Sequence, residues 1–154
     1  MQISIYGFHG RGVETAARVI CNACAKSNIS ANAIVFSGNY KKAIIKFDQK
    51  LLDKDFSLSD FCMFIDNIPE KEFAEKSNVL FNSPSAVSNA LFKKNKISSH
   101  YLDAFSISTK PNMAMLGAFA KLQSKLPAKS LRSAIEPYGS ESLAQFEEGY
   151  KRVK

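Results

Sequence analysis

The stretch "ISIYGFHGRGVETAARVI" places Gly7, Gly10 and Gly12 within a six-residue turn, with His9 and Arg11 between them. A strand-like apolar run precedes the turn and a helix-like run follows. Such a turn offers three things that chemistry can use. Glycine backbone can take positive φ and lets another group come close. The first N–H groups of the next helix lack intrahelical partners and attract anions. Arg11 beside them can fork onto a phosphate or a carboxylate. Gly7, Phe8, His9, Gly10, Arg11 and Gly12 therefore form the candidate ligand- or partner-binding loop. A tight strand-to-helix turn without a ligand fits the same spacing equally well. G-x-x-G-x-G is neither the dinucleotide fingerprint nor a P-loop, because no Gly-Lys-Ser/Thr follows. "AIVFSG" supplies no acidic residue for a ribose.

Other chemistry-bearing residues are sparse. Cys21 and Cys24 make a C-x-x-C, but no second pair exists and neither His9 nor His100 stands at a zinc-like spacing from it. The pair falls inside an expected helix rather than at its N-terminus, so it reads as small buried side chains. No metal site is expected. No G-x-S-x-G elbow or Ser/His/Asp arrangement is visible, and no catalytic residue is assigned. Asp66 ends an apolar run at the same expected sheet edge as the glycine loop. It is a possible edge contact, although capping the next helix is the commoner role. Asn112 is the second possible edge contact and also a fair N-cap.

The elements that must position these residues follow from periodicity. Strands are expected at Gln2–Tyr6, 31–36, 42–48, 62–66, 78–83 and 98–104. "SGNY" between the second and third signals a short antiparallel hairpin. Val13, Ala16, Ala17, Ile20, Ala23 and Cys24 recur at helical spacing over 13–27. A short helix or turn is expected at 57–61, and helices with early prolines at 69–76 and 84–95. The tail is helical: 112–126, 127–139 and 140–154, with Ser140 as the N-cap of the last. Alternating strands and helices imply an α/β fold, a mainly parallel doubly wound sheet with helices on both faces. The hairpin and the helical tail are appended to that sheet. One domain spans 1–154.

The chain has 154 residues, 45% of them hydrophobic, enough for a single core. The net charge is +7, but the lysines are spread and arginine occurs four times. No nucleic-acid-binding motif is present, so a solvated basic surface is expected, with an acidic protein partner as second reading. No membrane span or signal peptide is expected. Three cysteines, an odd number, suit a reducing compartment, and a cytoplasmic protein is expected.

Three motifs in order carry a family resemblance. "GFHGRGVETAA" is similar, without a gap, to a G-x-G-G-Q-G loop followed by an apolar residue and a Thr/Ser-Ala pair. "NMAMLGAFAKL", with Asn112, Met115, Leu116, Gly117 and Ala118, is similar to an Asn followed by Met-Leu-Gly-Ala. "SLAQFEEGYKRV", with Phe146, Gly149 and Tyr150, is similar to a closing helix of the form F…GY. The sequence resembles the gamma subunit, or gamma domain, of the 2-oxoacid:ferredoxin oxidoreductases, the pyruvate, 2-ketoisovalerate and 2-oxoglutarate synthases. It would be a divergent member. His9 replaces a glycine, Arg11 replaces a glutamine, Ser142 replaces an asparagine, and a Y-G-x-E-x-R-G segment is missing after the second strand.

The resemblance implies a subunit that is not catalytic alone. Its complex oxidatively decarboxylates a 2-oxo acid to an acyl-CoA. That complex uses thiamine diphosphate, Mg²⁺, iron–sulfur clusters and coenzyme A, none of them bound by this chain alone. The implied partners are alpha, beta and ferredoxin-like delta subunits, with ferredoxin as electron acceptor and no nucleic acid or membrane. The glycine loop would face the alpha subunit or the coenzyme A side, with Arg11 on a phosphate or a partner carboxylate. Gly117 would admit a close neighbour, and Met113 and Met115 would fill gaps. Two alternatives stay open: a free-standing α/β module binding a phosphorylated ligand at Gly7–Gly12, and an interaction protein that keeps the fold without a ligand.

Overall fold

The computed structural model describes residues 1–47, 59–66, 78–85 and 98–154. Six strands form one sheet: β1 (Gln2–Gly7), β2 (Ala31–Ser37), β3 (Lys41–Phe47), β4 (Phe61–Phe64), β5 (Asn78–Asn82) and β6 (Ser99–Leu102). Their spatial order is β2-β3-β1-β4-β5-β6. The pairs β1–β4, β4–β5 and β5–β6 are parallel. The pairs β2–β3 and β1–β3 are antiparallel, so the expected hairpin is present and reverses the sheet on one side of β1. The sheet is mixed α/β and mostly parallel, as its alternating elements imply.

Five α-helices are described: α1 (Val13–Lys26), α2 (Ala104–Ile107), α3 (Pro111–Leu122), α4 (Ala128–Ile135) and α5 (Ser140–Arg152). A 3₁₀ turn, Glu136–Tyr138, joins the last two. The large core lies between these helices and one sheet face, from Ile3, Ile5, Ile45 and Met63 to Ile20, Leu116, Leu131 and Phe146. On the other face an aromatic row crosses three strands in register. Tyr6 stacks on Phe64 at 4.7 Å between ring centroids, and Phe64 on Phe81 at 5.2 Å. The expected helix at 69–76, nearly all of that at 84–95, and residues 57 and 58 of the expected helix or turn at 57–61 lie outside the described residues, while Ser59 and Asp60 lead without a helix into β4 at Phe61.

Within α1 the six residues picked out by spacing are all buried, together with Val19. Both cysteines therefore sit among apolar neighbours, and burial pushes the Cys24 thiol up to about 12. Helix α3 is buried along Pro111–Ala120, as expected of a helix that is apolar on every side. It can lie so close to α5 because of two glycines. A Cβ on Gly117 would collide with the Phe146 backbone, and one on Gly149 with the Ala114 backbone. The two helices thus touch backbone to backbone, and both family-like motifs serve that contact.

Two capping expectations are corrected. Gly139, at φ 93°, precedes α5, and Ser140 is its first residue with no side-chain cap. Helix α3 begins at Pro111 behind Lys110, so Asn112 stands inside the first turn and caps nothing. Proline at the first helical position fixes that start.

The two sheet edges differ. At β6, Tyr101 and Lys154 exchange backbone hydrogen bonds of 3.0 and 3.1 Å, so the tail covers that edge. At the opposite edge β2 bonds only to β3 among the described strands. Among the described residues no helix is long and apolar enough to cross a membrane.

Candidate functional site

The glycine loop joins the carboxyl end of β1 to α1, where the sheet passes from parallel to antiparallel neighbours. Open α/β sheets bind ligands at such points. Its glycines have separate physical reasons. Gly10 and Gly12 hold φ of 81° and 79°, the left-handed region that side chains disfavour. Gly7 is needed for room: a Cβ there would stand 2.9 Å from Val13 Cγ2 and 3.3 Å from Asp66 Oδ2. A Cβ on Gly12 would run into Asn112. Two of the three glycines thus admit this chain's own side chains, and Gly10 alone faces open space.

The charged loop residues are engaged within the chain. Arg11 Nε pairs with Asp66 Oδ1 at 3.2 Å, and its guanidinium lies 5.1 Å from the centroid of Phe105. Asp66 Oδ2 accepts the Phe8 N–H at 2.8 Å. His9 Nε2 is 2.9 Å from the Gly38 carbonyl in the hairpin turn. Lys41 of the hairpin pairs with Glu14 of α1 and holds its carboxyl below the usual range. Phe8 is left 46% exposed at the tip of the loop. His9 and Arg11 thus tie the loop to the hairpin turn and to the segment that follows β4.

Beside the loop lies a cavity of about 330 Å³ lined by Gly10, Gly12, Thr15, Lys110, Asn112 and Ser142, among others. The N-termini of α1 and α3 both open on it, and the first turn of α5 adds Ser142. Unpaired N–H groups and two positive helix ends favour an anion there. Lys110 Nζ donates to Ser142 Oγ at 3.3 Å and pairs with Glu141 at 3.6 Å. Asn112 is buried, and its Nδ2 donates to the Gly12 carbonyl at 3.4 Å. Among the described residues its Oδ1 has no hydrogen-bond partner. A ligand suited to this cavity carries an anionic group for the helix ends and a hydrogen-bond donor for Asn112.

The structure brings Gly10, Arg11, Gly12 and Asn112 to this one cavity, and Asp66 behind it through Arg11. Phe8 and His9 point elsewhere. Sequence reasoning missed Lys110 and Asn82, and singled out Ser142 only as a departure from the asparagine of the resembling family. Asn82 accepts the Ala104 N–H and donates to the Ile65 carbonyl, both at 2.8 Å, joining β4, β5 and α2 at the same edge. "TKPN" did hold a signal for Lys110, a basic residue just before a helix-opening proline. Asn82 had none, because its role depends on chain reversals far away in sequence.

No family model matches the chain, and no curated protein matches it. Solved structures do. The PORC subunit of pyruvate oxidoreductase from Thermotoga maritima superposes with TM-score 0.80 and 20% identity, over 100% of this chain and 97% of that one. The fold is that of a 2-oxoacid:ferredoxin oxidoreductase gamma subunit. The keto/oxoacid ferredoxin oxidoreductase gamma subunit from Geobacter sulfurreducens has the same gamma-type fold, with TM-score 0.71 and 13% identity over 97% and 96%. A 2-oxoglutarate:ferredoxin oxidoreductase from Magnetococcus marinus, solved with 2-oxoglutarate, coenzyme A and succinyl-CoA, contains it within a longer chain. There the TM-score is 0.75 and identity 14%; the match covers 99% of this chain but 30% of that one.

Proposed function

We propose that the chain is a gamma-type subunit of a 2-oxoacid:ferredoxin oxidoreductase complex. The observation that carries the reading is the end-to-end likeness to two free-standing gamma-type chains. The subunit holds no catalytic residue of its own. Thiamine diphosphate, Mg²⁺ and the iron–sulfur clusters belong to its alpha, beta and ferredoxin-like delta partners in the cytoplasm, and ferredoxin takes the electrons. The cavity at Gly10–Gly12 and Lys110 turns toward the coenzyme A side, where its helix ends suit a phosphate and Asn112 Oδ1 suits an amide or hydroxyl donor.

In the assembled complex Lys110→Ala then raises KM for coenzyme A about 10-fold, the value of one charge-assisted hydrogen bond, and leaves the subunits associated. An unchanged KM in an intact complex overturns the coenzyme A assignment. Failure of the wild-type chain to assemble overturns the subunit reading.

One observation favours a second reading. Arg11 commits its Nε to Asp66 and His9 its Nε2 to the Gly38 carbonyl, contacts within the chain that suit a scaffold that keeps the fold as an interaction protein. A third, a free-standing module that binds a phosphorylated ligand, rests on the same cavity. Thermal stabilisation of the isolated chain by phosphorylated compounds separates these two.

A further inference from the structure

The lining of the cavity beside the glycine loop narrows what can fill it. It includes two cations, Arg11 and Lys110, and no carboxylate. Asp66 and Glu141 pair with these cations from outside that lining. Asp66 stands 3.2 Å from the Nε of Arg11, and the guanidinium lies 5.1 Å from the Phe105 centroid. Arg11 is thus held at one edge and one face, while a guanidinium has further N–H donors on its two Nη atoms. The pair with Asp66 orients this arginine for a ligand rather than using it up.

Backbone donors converge on the same space. In α1 the Ala16 N–H bonds to the Gly12 carbonyl at 2.9 Å, so those of Val13, Glu14 and Thr15 precede the helical ladder. In α3 the Met113 N–H bonds to the Lys110 carbonyl at 2.9 Å, Pro111 has none, and that of Asn112 has no partner among the described residues. One acceptor stands among these donors. Asn112 is 7% exposed, and its Nδ2 donates to the Gly12 carbonyl, which fixes the amide's orientation. Turning the amide over would set two oxygens against each other. Its Oδ1 is therefore a buried acceptor with no donor among the described residues, on a side chain that lines the cavity. Buried polar groups are nearly always paired, so this one points to a ligand.

We propose that the cavity takes a phosphomonoester with a hydroxyl on the neighbouring carbon. Arg11, Lys110 and the helix N–H groups hold the phosphate, and Asn112 Oδ1 accepts the hydroxyl. A terminal phosphate offers three free oxygens and about two negative charges. A phosphodiester or one half of a pyrophosphate bridge offers two oxygens and one charge, too few for donors arriving from a guanidinium, an ammonium and two helices. A volume of about 330 Å³ is at the small end of ligand pockets, so it suits one such group rather than a whole nucleotide cofactor. Coenzyme A as the source rests on the proposed function. It carries one group of this kind, the 3′-phosphate of its ribose beside the free 2′-hydroxyl.

The test is calorimetric titration of the purified full-length chain with coenzyme A, dephospho-coenzyme A, adenosine 3′-monophosphate, its 2′-deoxy form and glycerol 3-phosphate. Coenzyme A and adenosine 3′-monophosphate are expected to bind. Dephospho-coenzyme A binds about 100-fold more weakly than coenzyme A, and the 2′-deoxy compound about 10-fold more weakly than its parent. Arg11→Gln weakens adenosine 3′-monophosphate about 10-fold and leaves dephospho-coenzyme A unchanged. Asn112→Ala removes the preference for the 2′-hydroxyl. If Asn112→Ala does not fold by circular dichroism, Lys110→Gln must weaken the phosphate compounds as Arg11→Gln does. Equal binding of coenzyme A and dephospho-coenzyme A overturns the proposal, as does the absence of binding by any phosphomonoester or a 2′-deoxy compound that binds as tightly as its parent. Glycerol 3-phosphate bound more tightly than coenzyme A sustains the phosphomonoester site and overturns coenzyme A as its source. Assembly with partner subunits, measured separately, decides the subunit reading.

Discussion

Arg11 Nε stands 3.2 Å from Asp66 Oδ1, and the two residues leave the carboxyl ends of neighbouring parallel strands. The carboxylate is buried while the guanidinium side chain is half exposed. Its other oxygen holds the Phe8 N–H, so Asp66 fixes the loop from two sides. Removing each partner has different consequences. Asp66→Ala strands a backbone N–H and a cation and costs about 2–4 kcal/mol. Arg11→Ala leaves the carboxylate its Phe8 bond and costs about 1 kcal/mol, because solvent already screens the pair. Urea denaturation of both variants checks the order; equal losses would contradict it.

The contact of α3 with α5 depends on Gly117 and Gly149 more than on any large side chain. Either glycine to alanine forces a methyl group into backbone that cannot swing aside. Each substitution is expected to cost about 1–3 kcal/mol, at the upper end of overpacking losses. Thermal melts of both variants measure it. Substitution at Ala144, which is exposed on α5, serves as the neutral control.

The two left-handed glycines should respond unequally. Gly10→Ala meets no neighbour and bears only the backbone penalty, about 1–2 kcal/mol. Gly12→Ala bears that penalty and a collision with Asn112. Asn112→Ala in the same chain then recovers part of the loss. A double-mutant cycle reads this as non-additivity between Gly12 and Asn112 and additivity between Gly10 and Asn112.

Cys21 and Cys24 should behave as packing, not as a redox pair. Burial raises both thiols, Cys24 to about 12 from an ordinary 9.0. The folded chain keeps protons that the unfolded chain gives up above pH 9, so their contribution to stability is full below that pH. It is lost as pH rises from 9 toward 12. Urea midpoints across that window should fall, and less so in Cys24→Ala relative to its own value at pH 8. A thiol reagent at pH 8 should label Cys24 only after denaturation.

Much of the fold was legible because it is local. The alternation of Gln2–Tyr6, the helical spacing of Val13 to Cys24 and the "SGNY" turn each lie within one element. The glycine pair of α3 and α5 was legible as motif, and its reason appeared only when the helices were brought together. The site was less so. Arg11 and Asp66 are far apart in sequence, and nothing in "GFHGRG" says that its arginine is claimed by a carboxylate at the end of β4. Asn112 had the right type for a cap, but Pro111 set the helix start one residue earlier and turned it toward Gly12. Lys110 gained its place from the cavity that α1 and α3 form together, which is a tertiary property.

The central claim is that this chain works as a gamma-type subunit. The direct measurement is isolation of the tagged chain from its native cell, with its companions identified and assayed for 2-oxo-acid-dependent, coenzyme-A-dependent reduction of ferredoxin. Stoichiometric recovery with thiamine-diphosphate- and iron–sulfur-bearing subunits, and with that activity, is the predicted result. Recovery of the chain alone, or in a complex without such activity, would contradict it.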